Sequence, residues 1–237
     1  MVASDRDLSL SEIKKRVNIP RQSLTRILNT LCDRGIVERA GKRGFYRVGM
    51  RLLYLGNRLK DKITLRSVAW PFMQELAEKT RKTIELSTLD RDQLILIDQI
   101  EGTEGVRVYS RVGDVYPYFN ALAVGKIYLA LMAPEKRRKV LDKVGLPSVT
   151  EHTTTDISKL EKELLRVQEN GYAFEDQELR KGVRRVGSPI YDYHNDLAGC
   201  IGIAATVFSF ELEDKEYLGR MVMDVANKIS YRMGKEK

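Results

Sequence analysis

Between Ser9 and Gly35 the chain is punctuated so closely that only two short helices fit between the marks. Ser9-Leu10-Ser11-Glu12 matches a capping box, in which a serine hydroxyl and a glutamate carboxylate each satisfy a free backbone N–H at a helix start. A helix is therefore expected from Ser9 or Leu10. Leu10, Ile13 and Val17 recur at spacings of three and four and form its apolar face, with Lys14, Lys15 and Arg16 toward water. Asn18 ends it. Pro20, whose fixed φ suits the first helical position, opens the next helix, with Leu24, Ile27, Leu28 and Leu31 as its buried stripe and Gly35 as its stop. Two helices this short, joined by a tight turn, read as a helix-turn-helix.

The outward face of the second helix is Arg21, Gln22, Ser23, Thr25, Arg26 and Asn29, with no carboxylate before Asp33. These side chains can donate to base edges and phosphates in a major groove. Ile36 to Arg39 and Phe45 to Val48 read as two strands joined by the basic tip Ala40-Gly41-Lys42-Arg43-Gly44, the wing of a winged helix. Arg21, Gln22, Ser23, Thr25 and Arg26 are expected to approach bases, and Lys42, Arg43 and Arg47 to hold phosphates. The competing reading is a helical hairpin whose cations stay solvated. A complete winged domain has a further helix before the capping box. Met1-Val2-Ala3 reads as its last turn, so either translation starts upstream or this domain is cut short.

Charge separates this head from the rest. Residues 1–66 hold 16 Lys and Arg against 6 Asp and Glu, whereas 67–237 hold 25 against 27. A basic head serves nucleic acid, an anionic surface or solubility, and charge alone does not choose among them. No apolar run approaches the length of a membrane span, and the charged N-terminus is unlike a secretion signal. Cys32 and Cys200, far apart, build neither a disulfide framework nor a zinc site. A cytoplasmic protein without membrane contact fits these features.

Residues 67–237 read as one α+β domain around an antiparallel sheet, after a linker helix over 51–66. Leu65, Val68, Ala69, Phe72, Met73, Leu76 and Ala77 keep helical spacing, and Pro71 must begin a helix or kink one. Ile84–Leu89 and Leu94–Ile100 form a hairpin about Asp90-Arg91-Asp92-Gln93, with Val106–Ser110 as a third strand. Helices are expected at 121–132, 134–144, 157–170 and 213–232, and strands at 172–179, 184–192 and 197–207. His152 and His194 have no neighbouring Cys or His for a metal pair, and Gly125-Lys126 lacks the rest of a phosphate loop. No nucleophile, base and metal constellation is visible, so neither catalytic residues nor a cofactor are expected.

Ser9 to Ile13, Pro20 to Leu28, and Tyr46-Arg47-Val48-Gly49-Met50-Arg51-Leu52-Leu53-Tyr54-Leu55-Gly56 resemble the DNA-binding helices, wing exit and linker helix of the IclR family of transcriptional regulators. Arg111-Val112-Gly113, Ala121 to Lys126, Gly171-Tyr172-Ala173, Gly182-Val183-Arg184-Arg185 and Ser188-Pro189-Ile190 resemble signatures of its effector domain. The resemblance covers nearly the whole chain and implies a winged helix-turn-helix domain over 1–50 and a GAF-like effector-binding and oligomerisation domain over 67–237. It implies a homodimer or homotetramer on a near-palindromic double-stranded operator, with an effector altering how the heads are spaced, and a repressor rather than an activator.

The resemblance also carries the effector pocket. Its loop falls on Asn120, Ala121, Leu122, Ala123 and Val124, with Asn120 where a His is common. The pocket acid falls on Glu175 in place of Asp, the aliphatic on Val183, and a frequent Cys on Arg185. Two serine positions are Gly202 and Ala204, and Tyr109 lies on a strand contributing wall residues. Losing the two hydroxyls opens volume, and Arg185 offers a carboxylate two parallel hydrogen bonds. The effector implied is an organic acid larger than pyruvate, aromatic or sugar-derived. Alternatively, Arg185 points outward or pairs with Glu175 as a structural ion pair. From another class comes a small-molecule sensor or enzyme whose basic head binds a protein or an anionic surface. A sequence-blind architectural DNA binder would leave the neutral body without a purpose.

Overall fold

The computed structural model describes residues 6–41, 44–60 and 64–235. The chain divides into two compact units, 1–63 and 64–237.

In the first unit Ser9 serves twice. Its backbone belongs to β1 (Leu8–Ser9), paired antiparallel with β3 (Phe45–Val48), and its side chain caps α1 (Leu10–Arg16). Both bonds of the capping box are present: the Glu12 N–H donates to Ser9 Oγ at 3.3 Å, and the Ser9 N–H to Glu12 Oε2 at 2.8 Å. α2 (Arg21–Asp33) starts one residue later than expected, because Pro20 keeps an extended ψ of 143° and stands outside the helix as its N-cap. The helix stops at Gly35, whose φ of 66° is the left-handed conformation a glycine adopts without strain. There the Gly35 N–H donates to the Cys32 carbonyl and the Ile36 N–H to that of Leu31, both at 2.9 Å, closing a Schellman motif.

β2 (Val37–Arg39) and β3 complete the wing, so the small sheet runs β1-β3-β2. Its exit returns to the end of α2. The Gly49 N–H donates to the Ile36 carbonyl, and a Cβ on Gly49 would lie 2.1 Å from the Gly35 carbonyl oxygen. α3 (Arg51–Lys60) follows. Leu8, Ile13, Leu24, Leu28, Val37 and Tyr46 form the core. Ile27, expected in the buried stripe, is 44% exposed, because this core reaches only the Leu24–Leu28 line of α2 and packs Leu31 at its margin. The turn expected at Met1 to Ala3 lies outside the described residues.

The second unit opens with α4 (Thr64–Thr80), which carries Pro71 in its interior. β4 (Thr83–Asp90) and β5 (Gln93–Ile100) form the expected hairpin, turned by Arg91 and Asp92 at φ 46° and 62°. The third strand is β6 (Val115–Tyr116), not Val106–Ser110. Side chains take the place of a ladder along that irregular segment: the Thr83 hydroxyl donates to the Val108 carbonyl, and the Ser110 N–H donates to Gln99 Oε1. After a short 3-10 turn (Phe119–Ala121), Leu122 is extended, so α5 (Ala123–Leu131) starts later than expected. α6 (Pro134–Val144), α7 (Ile157–Asn170), β7 (Ala173–Asp176), β8 (Val183–Tyr191), β9 (Leu197–Thr206) and α8 (Lys215–Arg232) follow.

The antiparallel order β6-β5-β4-β9-β8-β7 places β9, one of the last strands in sequence, at the centre. α8 packs on β8 and β9, and α5 packs on β7, β8 and β9. The main apolar core gathers Phe119, Ile127 and Leu129 with Leu160 and Leu164 of α7.

Candidate functional site

Each unit carries one candidate surface. In the first, Arg21, Gln22, Ser23 and Arg26 are exposed along α2, and Thr25 is half-buried. The Thr25 hydroxyl donates to the Arg21 carbonyl at 2.9 Å, which leaves its methyl and its lone pairs outward. Arg47 is exposed on β3 and pairs with Glu38 at 3.2 Å, a surface contact that an incoming phosphate replaces at little cost. Glu38 also accepts from the Met50 N–H, tying the wing to the start of α3. Lys42 and Arg43 lie outside the described residues. Sequence reasoning left Arg39 out of this face; its Nη2 donates to Asn29 Oδ1 at 2.9 Å, from the wing onto α2. A cleft lined by Leu10, Ser11, Lys14, Lys15 and Arg21 adds a basic crease beside it.

In the second unit strand register brings charge to one spot. Glu175 on β7 stands opposite Arg185 on β8, which stands opposite Ala204 on β9. Glu85 on β4 stands opposite Gly202 on β9, which stands opposite Gly187 on β8. Directly opposed residues share a face of the sheet, and these two rows are neighbours on that face. Arg185 can cross to Glu85 because the positions between them carry glycine or alanine. Its Nε donates to Glu85 Oε2 and its Nη1 to Glu175 Oε2, each at 3.2 Å. Glu85 Oε1 accepts from the Ser110 hydroxyl at 2.8 Å, and Glu175 Oε1 from the Leu179 N–H at 3.0 Å.

Burial and charge oppose each other in this triad. Burial pushes the Glu175 carboxyl above its ordinary range, although Arg185 pulls the other way. Burial also works against the charge on Arg185, but the Glu85 and Glu175 carboxylates outweigh it and keep the guanidinium protonated. Burial, then the neighbouring Glu85 charge, push the Tyr116 phenol up, so it faces the triad as a neutral hydroxyl.

A cavity of ≈ 20 Å³ opens against Glu85 and Arg185, room for about one water molecule. Leu122, Ala123, Val124, Arg185 and Gly202 line it among the expected residues, joined by Glu85, Ser87, Leu96, Tyr116, Val186 and Ile203. The other expected residues stand elsewhere. Glu175 lies behind Arg185 with no exposed surface, and Val183 and Ala204 pack with Val108. Asn120 is buried and donates to the carbonyls of Pro147 and Thr154, holding that loop, with Ala121 buried beside it. Tyr109 is 55% exposed on the irregular segment. Glu85, Ser87 and Tyr116 carry no local signal, since only strand pairing brings them together.

Among the described residues no cluster of His, Cys, Asp or Glu can hold a metal ion, and no helix is long and apolar enough to cross a membrane. Residues 58–231 match the family model for the C-terminal part of the bacterial transcriptional regulator IclR. The chain belongs to the IclR family. This IclR-family chain is 30% identical to the HTH-type transcriptional regulator KipR of Bacillus subtilis over 96% of its length and 90% of that protein's. It is 27% identical to the acetate operon repressor of Salmonella typhimurium over 98% of its length and 85% of that protein's. The crystal structure of an IclR regulator from Alicyclobacillus acidocaldarius superposes with a TM-score of 0.83 at 28% identity, covering 97% of this chain and 92% of that one. The fold is therefore the IclR arrangement, a winged helix-turn-helix and a GAF-like domain, and the relatives are transcriptional regulators rather than enzymes.

Proposed function

We propose that the chain is a cytoplasmic, dimeric or tetrameric repressor that binds a near-palindromic operator through α2 and the wing, and that a small organic acid in the Glu85–Arg185 cavity changes its operator affinity. The observation that carries this reading is the exposed polar and cationic face of α2, Arg21, Gln22, Ser23 and Arg26, free of carboxylates and flanked by the wing cations Arg39 and Arg47. Lys42 and Arg43, between β2 and β3 in the sequence, are two further cations for phosphates. Repression is supported by the relative named a repressor.

An organic acid is supported by Arg185. Two of its nitrogens hold glutamates, and Nη2 has no hydrogen-bond partner among the described residues, so a ligand carboxylate finds a donor there. The cavity must widen to admit it, and the irregular segment over 101–114, which forms no strand and is held beside the triad through Ser110, is the neighbouring element that can give way. Calorimetry with a panel of small aliphatic, aromatic and sugar-derived carboxylic acids tests the assignment. Saturable binding of an acid that Arg185→Met abolishes supports it; binding that survives the substitution contradicts it.

A further inference from the structure

The amide of Asn29 sits on α2 at a spacing of three and seven from Arg26 and Gln22, on the same stripe of the helix. Its oxygen accepts from Arg39 Nη2 at 2.9 Å, across from strand β2. A flipped amide would turn its NH2 group against the guanidinium, which has no acceptor, so the amide is fixed with its two N–H donors free. Among the described residues nothing accepts from Asn29 Nδ2. A second lone pair remains on the oxygen, but the Arg39 charge beside it opposes any further donor.

An unconstrained asparagine pairs with adenine through both groups, its oxygen accepting from N6 and its nitrogen donating to N7. With the oxygen shielded, only the donating half operates. Guanine presents two acceptors on its major-groove edge, N7 and O6, and no donor there. The neighbouring hydroxyls are committed as donors, Thr25 to the Arg21 carbonyl and Thr30 to that of Arg26, so they add no donor of their own, and the preference argued here belongs to the Asn29 amide alone.

We propose that Arg39 is a specificity-determining residue: by holding the Asn29 oxygen from the wing it turns this amide from an adenine reader into a donor-only group that selects guanine in each half-site. Arg39 thereby couples the wing to base readout in addition to any phosphate it touches. The inference rests on α2 being the helix that enters the major groove.

Selection of bound sequences from a randomised duplex pool, which requires no defined operator, tests it with the full chain and the Asn29→Ala and Arg39→Ala variants at one salt concentration. Wild type is expected to enrich a two-fold motif, Asn29→Ala to lose the preference at one position per half-site, and Arg39→Ala to admit adenine at that same position. The guanine-over-adenine ratio there should fall from about tenfold, the scale of one good base contact, to within about threefold or reverse. Identical motifs for wild type and Arg39→Ala, with affinity lowered uniformly, would reduce Arg39 to a phosphate contact and overturn the proposal. A motif with adenine at the Asn29 position in wild type would overturn it as well. No enriched motif in wild type would overturn the DNA-binding reading itself, and the proposal with it.

Discussion

Arg185 and Glu175 face each other across β8 and β7, Nη1 to Oε2 at 3.2 Å, with the carboxylate wholly out of water. Removing one member of such a pair leaves a buried charge uncompensated, which costs about 3–5 kcal/mol. Arg185→Ala is expected to lose stability on that scale, read from urea unfolding followed by the fluorescence of Trp70, the single tryptophan, which lies in α4 of the same unit. Adding Glu175→Gln to Arg185→Ala should restore part of the loss. Unchanged stability in the single variant would show that the triad is solvated in solution.

The same carboxyl gives a pH dependence of unusual sign. Burial raises Glu175 above the ordinary carboxylate range, so above that range the folded chain binds more protons than the unfolded one, and stability falls as pH rises. Glu178, raised by burial against the pull of Lys126, acts in the same direction. As pH rises above the ordinary carboxylate range, wild type should lose stability, and Glu175→Gln should show a shallower fall. Equal slopes would mean that Glu175 is ionised throughout.

Glu12 behaves in the opposite way. The Ser9 backbone N–H first, then the Ser9 hydroxyl and the Arg6 guanidinium, hold its carboxyl down to about 2. Its contribution to the α1 cap is present above the ordinary carboxylate range and is lost as pH falls through about 2. An NMR titration should find Glu12 near that value in wild type and closer to ordinary in Ser9→Ala. A Glu12 that titrates normally in wild type would mean an open capping box.

Gly49→Ala tests the packing of the wing exit against α2. Its Cβ would meet the Gly35 carbonyl oxygen at 2.1 Å, and because a Cβ is fixed by its own backbone and its neighbour is backbone, the contact cannot be relieved by a side-chain turn. Overpacking of this kind costs about 1–3 kcal/mol. Hydrogen exchange should accelerate by roughly tenfold or more in the end of α2 and in β2, leaving β4 and β9 unchanged. Unchanged exchange would show that the exit has room for a methyl group.

The features legible in the sequence are local. The capping box at Ser9 and the stop at Gly35 depend on residues within a few positions of each other, so the pattern and the bonds coincide. Pro20 is displaced by one place because a proline serves either the N-cap or the first turn, and only its ψ distinguishes them. The Val106–Ser110 segment has the alternation of a strand, yet its backbone partners are side chains of Thr83 and Gln99, which no local pattern reveals. Arg185 stands out as a charge within an apolar strand, but its second partner, Glu85, is a hundred positions away and comes near only when β9 enters between β4 and β8. Glu85 itself carries no local signal, because the central place of β4 in the sheet is a property of the topology.

Operator recognition by α2 and the wing can be read from DNase footprinting of the full chain on the intergenic region upstream of its own gene at moderate salt. The expected result is a protected, near-palindromic site with half-sites about one helical turn or a multiple apart, weakened by Arg26→Ala. The absence of any protected site at concentrations that saturate non-specific DNA would contradict it.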